Sequence, residues 1–527
     1  MFQFRMTHAD ITYDRPWKWV AGRWTCGSSW IKPYRHELTE QLAVTDGTRT
    51  AFVSTVRTAT DAGTARPEVA VVDSAGFHRI LAEIPASRDD WTTIDVSPGH
   101  AVRLRTGTAC TAPQYLASAG GVLYGSWDLT DLREHQDPDR LDEVAVTRHL
   151  GLRARYSAST FWQDIRLLTE RATASFGPEG SLTIQFPKAA EHTRARVARG
   201  GADPIPLLRD LLDLAVTRVP WIGSRTAVQL SGGMDSAVVA LAMQTAPQGR
   251  GVTAGAVILD GERGNQQGER RKLLLKYLAG GWADVTVQAL DHLPYGPESS
   301  FSSNNWISPS ADIHTDALGA LSSRFAQRGV TAVFTGIGGD ELMATTSAED
   351  EGGWGGFEPA DLPSWLGPNA IDAIKDIDTA ITPASAVPET ALMAKAVCGP
   401  EFLRRGLWPL HPLTDPVLVR YCEWLPLEWR RDKRALREVV DRTGLPDGVS
   451  HPRIVENFQQ VVTMAMRQYG VPRIRKMLAE GSPLIEAGLL DPDLLSSTAD
   501  RLANGTLVKG DHEVVFVLLA DSALIHR

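Results

Sequence analysis

Apolar and polar positions alternate with a period of two through most of the first two hundred residues. The pattern predicts strands at 51–56, 69–73, 101–105, 122–127 and 181–186, because a strand turns successive side chains to opposite faces. Helical spacing is thin there apart from 141–150, so residues 1–200 are expected to form an antiparallel, sheet-rich domain. A stretch rich in Gly, Arg and Pro, 192–206, reads as a linker. The period then changes. An amphipathic helix at 207–219 leads into a short apolar strand at 227–230, a helix at 235–244, a strand at 252–259 and a helix at 266–278. A strand at 285–290, a helix at 312–328 and a strand at 331–335 continue the alternation. Strands alternating with helices predict a parallel, doubly wound α/β sheet whose ligands sit at the carboxyl ends of the strands. Residues 386–527 read as mostly helical with proline breaks, and 201–527 is expected to be the second domain.

Length supports the division, since 527 residues exceed what one hydrophobic core organises. A hydrophobic content of 43% and a charged content of 22% are those of a soluble globular protein. The net charge of −9 argues against a nucleic-acid partner. Cys26, Cys110, Cys398 and Cys422 are scattered, which suits reduced thiols in a cytosol better than a disulfide or zinc framework. Residues 1–20 carry charges throughout and lack the apolar core of an export signal. The apolar run from 514 towards 525 is too short to cross a bilayer, so a cytoplasmic protein without a membrane span is expected. Trp17, Trp19, Trp24 and Trp30 are expected to fill a core or cover an interface.

Two glycine loops carry the chemistry. Ser231-Gly232-Gly233-Met234-Asp235-Ser236 follows the buried strand ending at Leu230 and opens an apolar helix. Free N–H groups and the helix dipole make such a turn an anion site, to which Ser231 and Ser236 add hydroxyl donors. It is not a Walker A loop, because no Gly-Lys-Ser/Thr follows the glycines. Asp235 would repel a phosphate unless a metal lay between them. Gly336-Ile337-Gly338-Gly339-Asp340-Glu341 ends a second buried strand in the same way. Neighbouring strand ends can set Asp235 and Asp340 across one Mg²⁺ bound to a triphosphate, although Asp340 could also be a plain helix cap. Residues 348–368, rich in Gly, Trp and acids, read as a loop near the site mouth, either a lid or a solvated linker. Lys433, in a basic run, and Arg453 are candidate cations for a leaving pyrophosphate.

The Ser-Gly-Gly-x-Asp-Ser loop resembles the pyrophosphate loop of ATP enzymes that cut between the α- and β-phosphates. Residues 226–341, with Lys433-Arg434-Ala435-Leu436-Arg437, resemble the synthetase domain of the asparagine synthetase B family. The resemblance implies an N-terminal, Ntn-type glutaminase-like domain joined to a PP-loop ATP pyrophosphatase domain, with ATP and Mg²⁺ as cofactors. The family adenylates a carboxylate and lets an amine displace AMP. Three positions depart from the parent pattern. Phe2 stands where the glutaminase has its cysteine, and the nearest cysteine is Cys26. Ile337 stands where asparagine synthetases have Glu and β-lactam synthetases Tyr. Arg453, with Val455 nearby, is the nearest match to the second C-terminal lysine.

The stretches 125–132, 141–146, 152–157 and 166–171 are similar to those of lasso peptide cyclases. That resemblance implies adenylation of an Asp or Glu side chain in a linear core peptide, followed by attack of the peptide's own N-terminal amine to close an isopeptide macrolactam. A leader-binding protein and a leader protease would be partners. The implied roles place Ser231, Gly232, Gly233 and Ser236 on the pyrophosphate and Asp235 and Asp340 on Mg²⁺. Gly336 and Gly338 shape the second loop, Leu230 and Leu259 flank the adenine, and Lys433 and Arg453 neutralise phosphate charge. A β-lactam-synthetase-like small-molecule cyclase, an enzyme using a free amine, and a non-catalytic ATP-binding scaffold are the alternatives.

Overall fold

The computed structural model describes residues 1–12, 15–59, 68–197, 199–278, 280–302, 308–345, 349, 362–508 and 510–525. Among them, residues 2–185 build two seven-stranded sheets. The first runs, edge to edge, Ile165–Leu168, Gln114–Ala119, Val122–Ser126, Phe2–Thr7, Ser29–Pro33, Arg23–Cys26 and Lys18–Val20. The second runs Leu182–Gln185, Thr173–Phe176, Val102–Thr106, Trp91–Val96, Thr50–Val56, Thr39–Thr45 and Val69–Val71. Every pairing is antiparallel except that of the last strand, which lies parallel to Thr39–Thr45. The sheets are held face to face by one apolar layer, with Phe2, Phe4, Trp24 and Ile31 from the first meeting Phe52, Ile94, Leu104 and Phe176 from the second. Trp17 and Trp24 belong to this core, and Trp19 packs against it.

One element departs from the expected all-strand pattern. Ser74–Ser87 is a helix whose Asp73 cap accepts from the Gly76 N–H at 2.7 Å. Its Phe77, Ile80 and Leu81 cover the outer face of the second sheet at Val44 and Ala51. Pro85 within it, with only Gly76 and Phe77 fully buried, hides it from a periodicity search. The stretches 192–197 and 199–204 have no regular structure, and the first is tied down. His192 Nδ1 lies 2.6 Å from Glu423 Oε1, and the Arg196 guanidinium stacks 4.0 Å over Trp424.

Beyond the helix Ile205–Thr217 comes a five-stranded parallel sheet. Its strands and helices are labelled here in chain order: β1 Thr226–Gln229, α1 Met234–Thr245, β2 Thr253–Ile258, α2 Gly261–Tyr277, β3 Ala283–Gln288, α3 Thr315–Gln327, β4 Ala332–Phe334 and β5 Trp408–Leu410. The spatial order is β3-β2-β1-β4-β5, all parallel. Alternate residues face opposite sides: Val228 and Phe334 pack with α1, while Ala227 and Val333 pack with α3. Helices therefore cover both faces. The three-residue β5 was too short to show a period, and its Pro409 is tolerated because the strand is an edge. Among the described residues, no helix is long and apolar enough to cross a membrane. The sandwich docks on this sheet's side of the molecule through Asp128, gripped bidentately by Arg404 at 2.6 and 2.7 Å, and through Tyr34, whose hydroxyl donates to the Leu403 carbonyl at 2.8 Å.

Asp10 ties the first sheet's hairpin together, accepting from the Ser28 N–H, Ser28 Oγ and Ser29 Oγ at 2.8–2.9 Å. Burial alone would raise its carboxyl, but these donors hold it below the usual value of 3.8. A depressed folded-state value contributes stability that is full above about pH 4 and fades as pH falls through it. Asp10→Asn should therefore destabilise the chain at pH 7 and flatten the acid limb of a denaturation profile. An unchanged acid limb would show that the hydrogen bonds carry no linkage.

Candidate functional site

The strand order reverses at β1, where the chain first proceeds outward to β2 and β3 and later returns to β4 on the other side. At such a switch point the loops leaving adjacent strands part and open a crevice. Both glycine loops leave there. Register pairs Val228 with Phe334, so Leu230 and Thr335 end their strands at nearly the same level. Gly232 and Gly338 have φ of +92° and +98°, which a side chain would strain. A Cβ on Gly339 would overlap the Asp235 carboxyl group, and one on Gly336 would stand 3.0 Å from the Ser236 N–H. The loops touch because these positions have no side chain.

The closest cation comes from far along the chain. Lys433 Nζ lies 2.8 Å from both Asp235 oxygens and 2.7 Å from Asp340 Oδ1. The two carboxylates thus converge on one cation position. Asp235 is largely buried, whereas Asp340 is 85% exposed and faces solvent on its far side. Burial raises the Asp235 carboxyl above its usual range, opposed by Lys433 and assisted by Asp340 and Glu341. Burial also works against the Lys433 charge, but the two aspartates outweigh it and raise the ammonium above its ordinary value. Lys433 reaches this position through strained backbone. Asp432 and Lys433 are consecutive residues at φ +51° and +54°, each costing of order 1 kcal/mol. Arg437 Nε secures the turn on the Asp432 carbonyl at 2.7 Å. The rest of the basic run is turned elsewhere: Arg434 stacks 4.3 Å over Trp429, and Arg430 donates to the Ala344 carbonyl at 2.8 Å.

Ser231 and Ser236 fold inward on the first loop. Their hydroxyls lie 3.1 Å apart, Ser231 Oγ accepts from the Gly233 N–H, and Ser236 Oγ donates to the Gly233 carbonyl. Leu230 and Leu259 are buried at the ends of β1 and β2. Arg453 is not brought to the lysine cluster. Its side chain is exposed, and its backbone N–H donates to Gln266 Oε1 at 2.8 Å. Most of 348–368 lies outside the described residues.

Helix α2 supplies what sequence reasoning missed. Gln266, Gln267, Arg270 and Arg271 are buried on the helix ahead of Leu273, Leu274 and Leu275, which pack with the core. Gln267 closes the end of β2, donating to the Val257 carbonyl and accepting from the Leu259 N–H, both at 2.9 Å. Its backbone oxygen would stand 3.2 Å from a Cβ on Gly232. Gln266 and Arg270 grip the 449–456 segment through Ile454, Val449 and Glu456. The only signal of this in the sequence is the polar run ahead of the leucines, together with Gly261 and Gly264, which delayed the expected helix start from 261 to 266.

Gly339→Ala should cost about 2 kcal/mol or more by wedging the loops apart. Gly268→Ala, on α2 with open space around the added carbon, should be neutral or stabilise by about 0.5–1 kcal/mol. Urea midpoints of the two variants check the contrast, and equal midpoints would contradict the close loop contact.

Two comparisons bear on this arrangement. No curated protein matches the chain. Residues 207–394, which contain both glycine loops and the strands that carry them, match the family model described as asparagine synthase, so an asparagine-synthase-type domain spans the switch-point site while Lys433 is supplied from beyond the match.

Proposed function

We propose that the chain is an ATP-dependent amide-forming enzyme that adenylates a side-chain carboxylate of a linear peptide and closes it into a macrolactam, as lasso peptide cyclases do. The observation that carries the reading is the convergence of Asp235, Asp340 and Lys433 at the switch point of a sheet matching asparagine synthase, a family of ATP-dependent amide-bond formation. The sandwich and the parallel sheet would be the degenerate glutaminase-like and PP-loop parts of that architecture. The reading also draws on the thiols. Cys26 is buried and donates to the Asp10 carbonyl, while burial pushes the Cys110 and Cys398 thiols up to about 12. Phe2 is fully buried in its strand. Such thiols are poor nucleophiles at neutral pH, which favours an amine brought by the substrate over one released from glutamine.

The donor set fits Mg²⁺. Two carboxylates that both reach one cation position are the protein share of a site completed by phosphate oxygens and water. Among the described residues no group of three or more His, Cys, Asp or Glu could hold a metal by itself. Asp235 and Asp340 would hold the ion, which when bound would neutralise charge on the phosphates. The first loop would receive the pyrophosphate on Gly232, Gly233, Ser231 and Ser236. Lys433 would then be free to turn from the aspartates to the leaving group, which its strained turn favours by holding it at the site in advance. The peptide carboxylate would attack the α-phosphate, and its amine would displace AMP. Joining both partners in one chain makes the second step intramolecular. A leader-binding protein and a leader protease would present and trim the peptide.

The test uses linear peptides with an internal Asp or Glu, each with a free and with an acetylated N-terminus, incubated with Mg·ATP. Free-amine peptides should lose one water as AMP appears, and acetylated ones should not cyclise. Asp340→Asn and Lys433→Ala should lower AMP formation at least about a hundredfold, and Arg453→Ala much less. ADP as the product, or undiminished turnover by Asp340→Asn, would overturn the reading. AMP with amino acids but no peptide would move the substrate to a small molecule.

A further inference from the structure

Between the sandwich and the parallel sheet lies a cavity of about 260 Å³ that plays no part in the chemistry above. Much of its wall is apolar, from Val56, Val216, Val219 and Phe334. Into that wall are set three polar nitrogens that make no hydrogen bond among the described residues. Lys395 is 2% exposed, and among the described residues its ammonium has no hydrogen-bond or ion-pair partner. Trp408 Nε1 and His411 Nε2 are also buried without a partner. The His411 ring is set by its other nitrogen. Thr335 Oγ1, which accepts from the Ile337 N–H, lies 2.7 Å from His411 Nδ1 and holds the ring in place.

The acids on the wall are already engaged. Arg218 bridges Asp89 and Asp415, at 2.8 Å to the latter, and Asp90 accepts from the Thr111 N–H and hydroxyl. Lys395 has the Asp90 carboxylate as its main opposing charge but makes no hydrogen bond among the described residues, and Trp408 Nε1 is buried without one; an acceptor of negative charge would satisfy both donors together. We infer that this cavity is a binding site for a small organic carboxylate, its oxygens received by Lys395 and its apolar body lying against Val216 and Phe334. The volume falls below the roughly 300 Å³ at which drug-sized pockets begin, which limits the ligand to a compact acid. The site is also placed to affect the crevice. Thr335 runs directly into the loop bearing Asp340, and a Cβ on Gly338 would meet Thr414, another residue of the cavity wall. An occupant would stand one hydrogen bond behind that loop.

The probes are benzoate and its neutral isostere benzamide, titrated calorimetrically into the full chain at neutral pH. Benzoate should bind at least about tenfold more tightly than benzamide, and Lys395→Met should remove that preference. Asp340→Asn should leave it intact, since the nucleotide crevice is separate. Should the Lys395 variant fail to fold, a crystal of the unaltered protein soaked in 4-bromobenzoate decides, with the bromine anomalous peak expected between Val216 and Phe334. No binding of benzoate at tens of millimolar, equal binding of benzamide, a preference for inorganic phosphate alone, or bromine located elsewhere would each overturn the inference.

Discussion

The convergence of two carboxylates on one lysine at the switch point is the constraint around which the rest of the parallel-sheet region is arranged. Asp235 is mostly buried, and a buried carboxylate needs a cation close by. Lys433 meets that need only because residues 432 and 433 take left-handed backbone and Arg437 fixes the turn. Asp340 reaches the same ammonium only because Gly338 and Gly339 let its loop lie against the first one. Strain in one segment and missing side chains in another are thus two halves of a single electrostatic arrangement. Such strain persists where function requires a group to be held in advance of its ligand.

The surrounding elements can be understood as supports for that crevice. Ahead of its leucines, helix α2 buries amides and guanidinia. Its Gln267 finishes β2, and Gln266 and Arg270 anchor the 449–456 segment beside it. Hydrogen-bonded polar networks of this kind fix geometry more sharply than apolar packing does. On the opposite side, His411 and Thr414 form the bed of the second loop, and the sandwich closes over them with the Arg218 bridge between Asp89 and Asp415.

Local chemistry was legible in the sequence and long-range selection was not. Both glycine loops could be read because their residue types specify a turn and a charge on the spot. Five of the fourteen strands of the sandwich, and the alternation of β1 to β4, could be read from periodicity, with ends shifted by a few residues. The basic run 430–434 announced a cation, but four of its five residues are basic. Choosing Lys433 required Trp429 to hold Arg434, and Ala344 with Glu349 to hold Arg430. Neither contact leaves a local trace. Arg453, a candidate as a cation of the helical region nearest to the second lysine of the resembled family, has an exposed side chain. The polar face of α2 and the unpaired Lys395 looked in sequence like ordinary solvated positions, and only tertiary burial sets them apart.

The central claim is that the crevice joins a carboxylate oxygen to the α-phosphorus. A peptide labelled with ¹⁸O in its Asp or Glu side-chain carboxyl tests this most directly, with the released nucleotide examined by mass spectrometry. Attack on the α-phosphate followed by cleavage of the acyl C–O bond leaves one labelled oxygen on AMP, and the account predicts that transfer in step with ring closure. Unlabelled AMP, or label recovered in inorganic phosphate beside ADP, would contradict it.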